Sequence, residues 1–269
     1  MVENNKPIVM ITGVSGYLGS HVALTFLKDG SYNVRGTVRD TKNPSKIEPL
    51  KKAFGEYFAQ LTLLEADLND RQSIFAAVKG ANYVVHTASP APLKVPKDEN
   101  ELIVPAVNGT QAVMEACHFY KVKRVVITSS IAAVVECKPN DRPADGCFSE
   151  KNWSDPEGDH IDAYSKSKVL AERAAWNYVD KLPEDEKLEV VTIQPGLIQG
   201  PAFVGAGFFS GDLITNIMEN KYPGLPKMKL ALVGISEVAI AHLNAVKRPD
   251  AGNKRFVLVN ETVWFKDYV

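Results

Sequence analysis

The chain has 269 residues, 45% of them hydrophobic, and its 31 basic and 32 acidic side chains leave a net charge of -1. That apolar share suffices for one large α/β domain, or for a nucleotide domain with a smaller appendage, while the near-zero balance argues against a nucleic-acid or anionic-membrane surface, both of which need clustered Lys and Arg. No apolar run reaches the roughly 18 residues of a membrane helix, and the polar start Met1 to Lys6 lacks a signal-peptide pattern, so the cytoplasm is the expected location.

In chain order, Ile8 to Thr12 reads as a buried parallel strand, and Gly13, Gly16 and Gly19 follow at three-residue intervals where the backbone must turn tightly. Such a turn brings backbone N–H groups close to a pyrophosphate, and the positive end of the next helix favours its charge. The spacing departs by one residue from Gly-x-Gly-x-x-Gly, so alone it also fits an ordinary strand-to-helix connection. Leu18, Val22 and Phe26 give that helix an apolar stripe ending at Gly30, and Asn33 to Arg39 reads as a second strand, completing the first part of a βαβ unit.

A helix is predicted from about Ser45, with Pro49 in its first turns, then a third strand over Leu61 to Ala66 and a short helix over Arg71 to Lys79. Tyr83 to Thr87 is a fourth strand, and Arg124 to Thr128 a fifth, reached through a long helix that Pro105 starts or kinks. Glu136 to His160 is polar and rich in Pro, Gly and Asp, and reads as a long surface excursion. Asp162 to Leu182 is a helix, Glu189 to Ile193 a sixth strand, Ser236 to Lys247 another helix, and Arg255 to Val259 closes with strand character. The Gly- and Pro-rich connections from Pro195 to Lys229 read as a small irregular cap over the carboxyl edge of the sheet. The expected fold is therefore α/β, a doubly wound parallel sheet of Rossmann type with a small C-terminal cap.

Tyr164 and Lys168 stand four positions apart, hence on one face of a helix. A free phenol titrates near ~10, and a neighbouring cation favours phenolate, which moves the group toward the pH where acid/base work is efficient. Such a pair also arises by chance on any amphipathic helix. Its context adds weight, since Ser129 and Ser130 end the fifth strand and the Gly13 turn ends the first, and ligands of open α/β sheets bind at those carboxyl ends. A serine hydroxyl there can hold a carbonyl oxygen; a turn or capping role is its alternative.

Charge at the end of the second strand bears on the cofactor. A carboxylate pairs with the ribose 2′-hydroxyl of NAD, whereas an arginine takes the 2′-phosphate of NADP. Arg39 and Lys46 favour NADP(H), with Asp40 keeping NAD open and a solvated strand-end charge the plain alternative for Arg39. Cys117, Cys137 and Cys147 lack metal-ligand spacing and are expected as free thiols, a Cys137 to Cys147 bridge being the alternative. His21, His118 and His242 sit in helical patterns that suit surface or core-edge positions, so no metal is expected.

Together the glycine turn, Asp67-Leu68, His86-Thr87-Ala88-Ser89-Pro90, Pro105 to Thr110, Thr128-Ser129-Ser130, Tyr164-x-x-x-Lys168 and Gln194-Pro195-Gly196 resemble the extended short-chain dehydrogenase/reductase family. The likeness is to its branch of dihydroflavonol, cinnamoyl-CoA and fungal aldehyde (methylglyoxal) reductases, and it runs from about Ile8 to Gly200. It implies Tyr164 as proton donor, Lys168 as the cation that lowers its pKa and binds the nicotinamide ribose, and Ser130, in preference to Ser129, as the hydroxyl orienting the substrate carbonyl. Asp67 and Leu68 would flank the adenine. The implied cofactor set is Gly13, Ser15, Gly16, Tyr17, Leu18, Gly19, Arg39, Lys46, Asp67, Leu68, Thr87, Ala88, Ser89, Ser129, Tyr164, Lys168, Pro195, Gly196 and Leu197.

Relatives usually continue for several tens of residues beyond the last strand, so a reduced, truncated substrate cap is expected. Ile235-Ser236-Glu237-Val238-Ala239 stands where relatives tend to carry an Arg-Asp pair. The expected division is a cofactor domain of 1–194 with about 236–260, and a cap of 195–235 and 261–269, its pocket shaped near Pro92 to Val95, Glu136 to Asp162 and Leu197 to Asn216. The function expected is an NADPH-dependent reductase of a small aldehyde or ketone, acting as monomer or homodimer. Its alternatives are a non-catalytic NADP-binding sensor or scaffold, and an NAD-dependent hydroxysteroid dehydrogenase or epimerase, which Arg39 disfavours.

Overall fold

The computed structural model describes residues 6–90, 96–159, 161–204, 209–219, 221, 224 and 226–268. Its strands are β1 (Ile8–Thr12), β2 (Asn33–Val38), β3 (Leu61–Glu65), β4 (Tyr83–His86), β5 (Arg124–Thr128), β6 (Glu189–Pro195), β7 (Leu197–Gln199), β8 (Lys229–Gly234), β9 (Lys254–Leu258) and β10 (Glu261–Trp264). The helices are α1 (Tyr17–Asp29), α2 (Pro44–Phe54), α3 (Arg71–Val78), α4 (Asn100–Phe119), α5 (Ala132–Val135), α6 (Ala163–Asp180), α7 (Phe209–Met218), α8 (Ile235–Lys247) and α9 (Phe265–Tyr268).

A seven-stranded sheet runs β3-β2-β1-β4-β5-β6-β9, and every pairing in it is parallel. Strand side chains alternate between faces, so β1 serves two cores at once. Val9 and Ile11 pack with Phe26, Leu50 and Leu243 from α1, α2 and α8, while Met10 packs with Ile74, Met114 and Ala175 from α3, α4 and α6. Burial on both faces is why β1 carries an unbroken apolar run. The strand order reverses between β1 and β4, and the cleft opens at that point, where their carboxyl ends diverge.

The remaining three strands form a separate sheet, β10-β8-β7, with β10 antiparallel and β7 parallel to β8. The irregular connection expected over Pro195 to Lys229 contains β7, and the sequence marks no strand at β8 or β10. It also set the start of α2 one residue late: Asn43 caps the helix by accepting the Ser45 N–H at 3.1 Å, and Pro44 takes the first helical position, where a missing N–H is harmless. α4 begins at Asn100 and runs through Pro105, which therefore does not start it. The polar excursion after α5 holds one short helical turn, Pro139–Asp141, and its return is anchored by a fully buried Ser154, whose hydroxyl donates to Ala132 O at 2.7 Å and accepts the Glu136 N–H at 2.8 Å.

Candidate active site

The turn after β1 is held before any ligand arrives. Gly13 has φ +71°, the left-handed conformation that side chains disfavour, and its N–H donates to the Thr37 hydroxyl at 3.1 Å. Gly16 N–H closes back on Gly13 O at 2.9 Å, and α1 begins there with no side-chain cap. A methyl group at Gly19 would run into Gly13 O and come within 2.8 Å of the Thr87 hydroxyl, so the helix lies against the strand ends only because this position is bare. At Gly16 an added methyl would meet only Gly13 O, at 3.2 Å, and otherwise project into the cleft that Gly16 lines. Tight turn, bare approach and close helix packing, with a helix N-terminus behind them, fit a pyrophosphate of a dinucleotide.

The neighbouring strand end is laced to this turn. Thr87 Oγ1 donates to Thr12 O at 2.5 Å, and Thr12 Oγ1 accepts the Ala88 N–H at 3.0 Å, which directs its own hydrogen to His86 Nδ1 at 2.9 Å. Burial, with a smaller contribution from the Lys168 charge, pushes His86 down to about 4, so its ring is neutral at pH 7 and serves as an acceptor here. At the far side, Arg39 and Lys46 both line the cleft; Asp40 does not, and its carboxylate accepts the Lys42 N–H at 2.8 Å. Asp67 and Leu68 line the same end, Asp67 Oδ1 holding the Asn69 N–H at 2.8 Å.

The opposite wall is α6. Asp162 caps it, accepting the Ser165 N–H at 2.7 Å, which presents Tyr164 and Lys168 one turn apart toward the cleft. The Lys168 Nζ lies 5.6 Å from the Tyr164 ring centroid and donates to Ser89 Oγ at 3.0 Å. The two serines after β5 part company. Ser129 Oγ donates to the buried Glu172 at 2.5 Å, whereas Ser130 Oγ, which lines the cleft, accepts the Ala132 N–H at 3.2 Å and has no acceptor for its own hydrogen among the described residues. Thr128, which also lines the cleft, donates to His242 Nε2 at 2.8 Å, because His242 Nδ1 is committed to Val238 O at 2.7 Å. Burial pushes that ring down to about 4 as well.

Every residue singled out from the sequence, in both the catalytic and the cofactor sets, lines one cleft of about 2120 Å³. The sequence missed part of its wall. Met228 and Leu230 at the start of β8, Val257 and Val259 at the end of β9, Phe265 on α9 and Val135 on α5 line it as an apolar flank, while Phe148 lies in the Glu136 to Asp162 segment expected to shape the pocket. It also missed the clasp on the first turn of α1, where Tyr17 OH donates to Gly200 O at 2.9 Å and His21, stacked on Phe203 at 3.8 Å, bonds Pro201 O at 2.9 Å. These are contacts across some 180 positions that no local pattern announces. The segment Pro92 to Val95, expected to help shape the pocket, lies outside the described residues. Among the described residues there is no cluster of three metal-ligating side chains.

A model of the NAD dependent epimerase/dehydratase family matches residues 9–258. The chain belongs to that family. Within it the chain is of the extended short-chain dehydrogenase/reductase type and is an NAD(P)-dependent reductase. Cinnamoyl-CoA reductase CAD2 of Medicago truncatula is similar to it, 33% identical over an alignment of 282 positions, gaps included, that covers 99% of this chain and 80% of that protein. A bifunctional dihydroflavonol 4-reductase/flavanone 4-reductase of Pyrus communis is 32% identical, with 90% and 69% covered. Among solved structures, yeast methylglyoxal/isovaleraldehyde reductase complexed with NADPH is similar at a TM-score of 0.82 and 27% identity, over 96% of this chain and 80% of that one.

Proposed function

We propose that the protein is an NADPH-dependent reductase of a small aldehyde or ketone, with Tyr164 as the proton donor. The observation that carries this reading is the meeting of Tyr164, Lys168 and the Ser130 hydroxyl on one cleft with the bare glycine turn. When bound, the nicotinamide supplies a hydride to the carbonyl carbon. Ser130 donates a hydrogen bond to the carbonyl oxygen and holds it beside Tyr164. As negative charge builds on that oxygen, the Tyr164 hydroxyl gives it a proton, and the Lys168 ammonium stabilises the phenolate left behind until solvent reprotonates it. Asp67 and Leu68 would sit against the adenine, and Arg39 with Lys46 against a 2′-phosphate, which favours NADP(H) over NAD(H).

Support for an apolar carbonyl substrate comes from Val135, Phe148, Leu230 and Phe265, which line the same cleft as Tyr164 and Ser130 and would strengthen charge interactions wherever a bound substrate displaces water. The reading divides the chain into a cofactor domain of 1–194 with about 236–260 and a substrate cap of 195–235 and 261–269. It places the enzyme in the cytoplasm, acting on a freely diffusing small molecule; no helix among the described residues is long and apolar enough to cross a membrane. The test is Tyr164→Phe, assayed by NADPH absorbance at 340 nm with isovaleraldehyde and by NADPH fluorescence titration. Turnover should vanish while cofactor affinity stays near wild type. Undiminished turnover removes Tyr164 from the chemistry.

A further inference from the structure

We infer that Glu172 is a positioning residue for this reaction, fixing the rotation of α6 so that Tyr164 and Lys168 face Ser130; the inference rests on the reductase reading above. Tyr164, Lys168 and Glu172 occupy successive turns of one face, and Glu172 is fully buried at the inner end of that stripe. An isolated carboxylate there would be prohibitive, yet this one has five donors. Its Oε1 accepts from Thr192 Oγ1 at 2.9 Å, Gln194 Nε2 at 2.8 Å, Arg255 Nε at 2.8 Å and Trp176 Nε1 at 3.3 Å, and its Oε2 from Ser129 Oγ at 2.5 Å.

Apart from Trp176, those donors come from the sheet: Ser129 from the end of β5, Thr192 and Gln194 from β6, Arg255 from β9. One carboxylate therefore registers the helix against three strands. The register reaches the cleft directly, because Ser129 is bonded in sequence to Ser130, and its N–H is itself held by Ile193 O at 2.8 Å on β6. It also extends outward. Arg255 Nη1 donates to Asn152 O at 2.6 Å and its guanidinium stacks on Trp153 at 3.7 Å, so the same ion pair pins the returning end of the polar excursion.

Stability alone is a poor account of the pair. A buried ion pair gains little over apolar packing once desolvation is counted, and Arg255 Nη2 is buried without a hydrogen-bond partner among the described residues. What the arrangement secures is direction: rotation of α6 by a fraction of a turn would strip donors from Glu172 and swing Tyr164 from the oxygen it serves. Small misplacement of a reacting group costs about 10²-fold in rate.

The experiment compares Glu172→Gln, Glu172→Asp and Thr192→Val, the last a near-isosteric change at a fully buried site that does not line the cleft. Each is followed by kcat and KM with isovaleraldehyde, by NADPH fluorescence titration, and by amide hydrogen exchange of the apoprotein over residues 163–170. Glu172→Gln should lower kcat by about 10²-fold, with KM and NADPH affinity within about threefold of wild type, and should speed exchange in the Tyr164 to Lys168 turn. Asp should restore part of both. Thr192→Val should shift both in the same direction by less, which keeps the inference testable if Glu172→Gln fails to fold. A folded Glu172→Gln or Thr192→Val protein with wild-type exchange over 163–170 overturns it, as does an effect confined to thermal stability. Exchange needs no turnover, so loss of the reductase reading, signalled by an active Tyr164→Phe enzyme, is told apart from loss of this one.

Discussion

Lys168 Nζ donates to the Ser89 hydroxyl at 3.0 Å, joining the ammonium on α6 to the loop that leaves β4. The cation beside Tyr164 is thus held from across the cleft, and its position does not depend on the helix alone. Lys168→Met should lower kcat by about 10²-fold at pH 7, the scale of a lost acid/base contribution. Ser89→Ala, which keeps the charge and removes only the acceptor, should cost about fivefold, the worth of one hydrogen bond of ~1 kcal/mol. Steady-state rates from pH 5 to 10 check both; a Ser89→Ala enzyme with the wild-type profile would sever the link.

Arg39 and Lys46 line the adenine end of the cleft and Asp40 does not. Arg39→Ala should weaken NADPH about 10-fold or more, as expected for loss of a charge-assisted pair of ~1.5–3 kcal/mol, and leave NADH affinity nearly unchanged. Fluorescence titration with each nucleotide at two salt concentrations reads this. Equal losses for the two nucleotides would show that Arg39 does not read the 2′-phosphate.

Gly19 has no room for a side chain between Gly13 O and the Thr87 hydroxyl. Gly19→Ala should destabilise the fold by about 1–3 kcal/mol through overpacking and push α1 off the strand ends, so that NADPH binding falls further than the stability loss alone would predict. Thermal melts with and without NADPH measure the two effects. Equal stabilisation of both proteins by the nucleotide would count against a role for this packing in the cradle.

His86 and His242 are each pushed down to about 4 in the folded protein, burial being the first cause. An unfolded histidine titrates near ~6.5, so between these values the unfolded chain takes up protons that the folded one refuses. Their stabilising effect is complete above ~6.5 and is lost as pH falls toward 4, at up to about 1.4 kcal/mol per pH unit for each ring. Urea midpoints at pH 7.5, 6 and 5 should therefore fall steadily, and His242→Gln should flatten that slope even if it lowers the starting value. An unchanged slope in the variant would exonerate His242.

The first half of the sheet was legible in the sequence because burial on both faces leaves little choice of residue: Val9-Met10-Ile11 and Val125-Val126-Ile127 are continuous apolar runs, and a glycine turn follows the first. β8 and β10 gave no such signal. Their sheet is half-exposed, Trp264 is 40% exposed, and Lys229-Leu-Ala-Leu and Glu261-Thr-Val-Trp pair across about thirty positions, so nothing local marks either segment as a strand. Glu172 was hidden for a different reason. A glutamate beside Arg173 and four residues after Lys168 reads as part of a solvated face, and only the arrival of Ser129, Thr192, Gln194 and Arg255 from separate strands makes it an interior residue. Most site residues were visible as a set because they sit at the end of a legible strand or in the first turns of a legible helix; the apolar flank opposite them is drawn from separate segments around β8, β9 and α9 that only the fold brings together.

The small sheet is joined to the rest of the fold at three places, where β6 runs into β7, β8 directly into α8, and β9 into β10, and the first and last of these lie side by side. Pro195 and Leu258 are paired neighbours on β6 and β9, Gly196 N–H bonds Leu258 O at 3.0 Å, and β7 and β10 begin within a few residues of each. The third connection runs from Gly234 straight into α8, whose Leu243 and Val246 are set in the main core, so the small sheet is held to that core as well as to β6 and β9. Widening this enzyme for bulkier molecules is therefore a matter of shortening side chains such as Leu230 and Phe265 that line the cleft, and redesign of the three connections would loosen the small sheet from the frame that carries Tyr164.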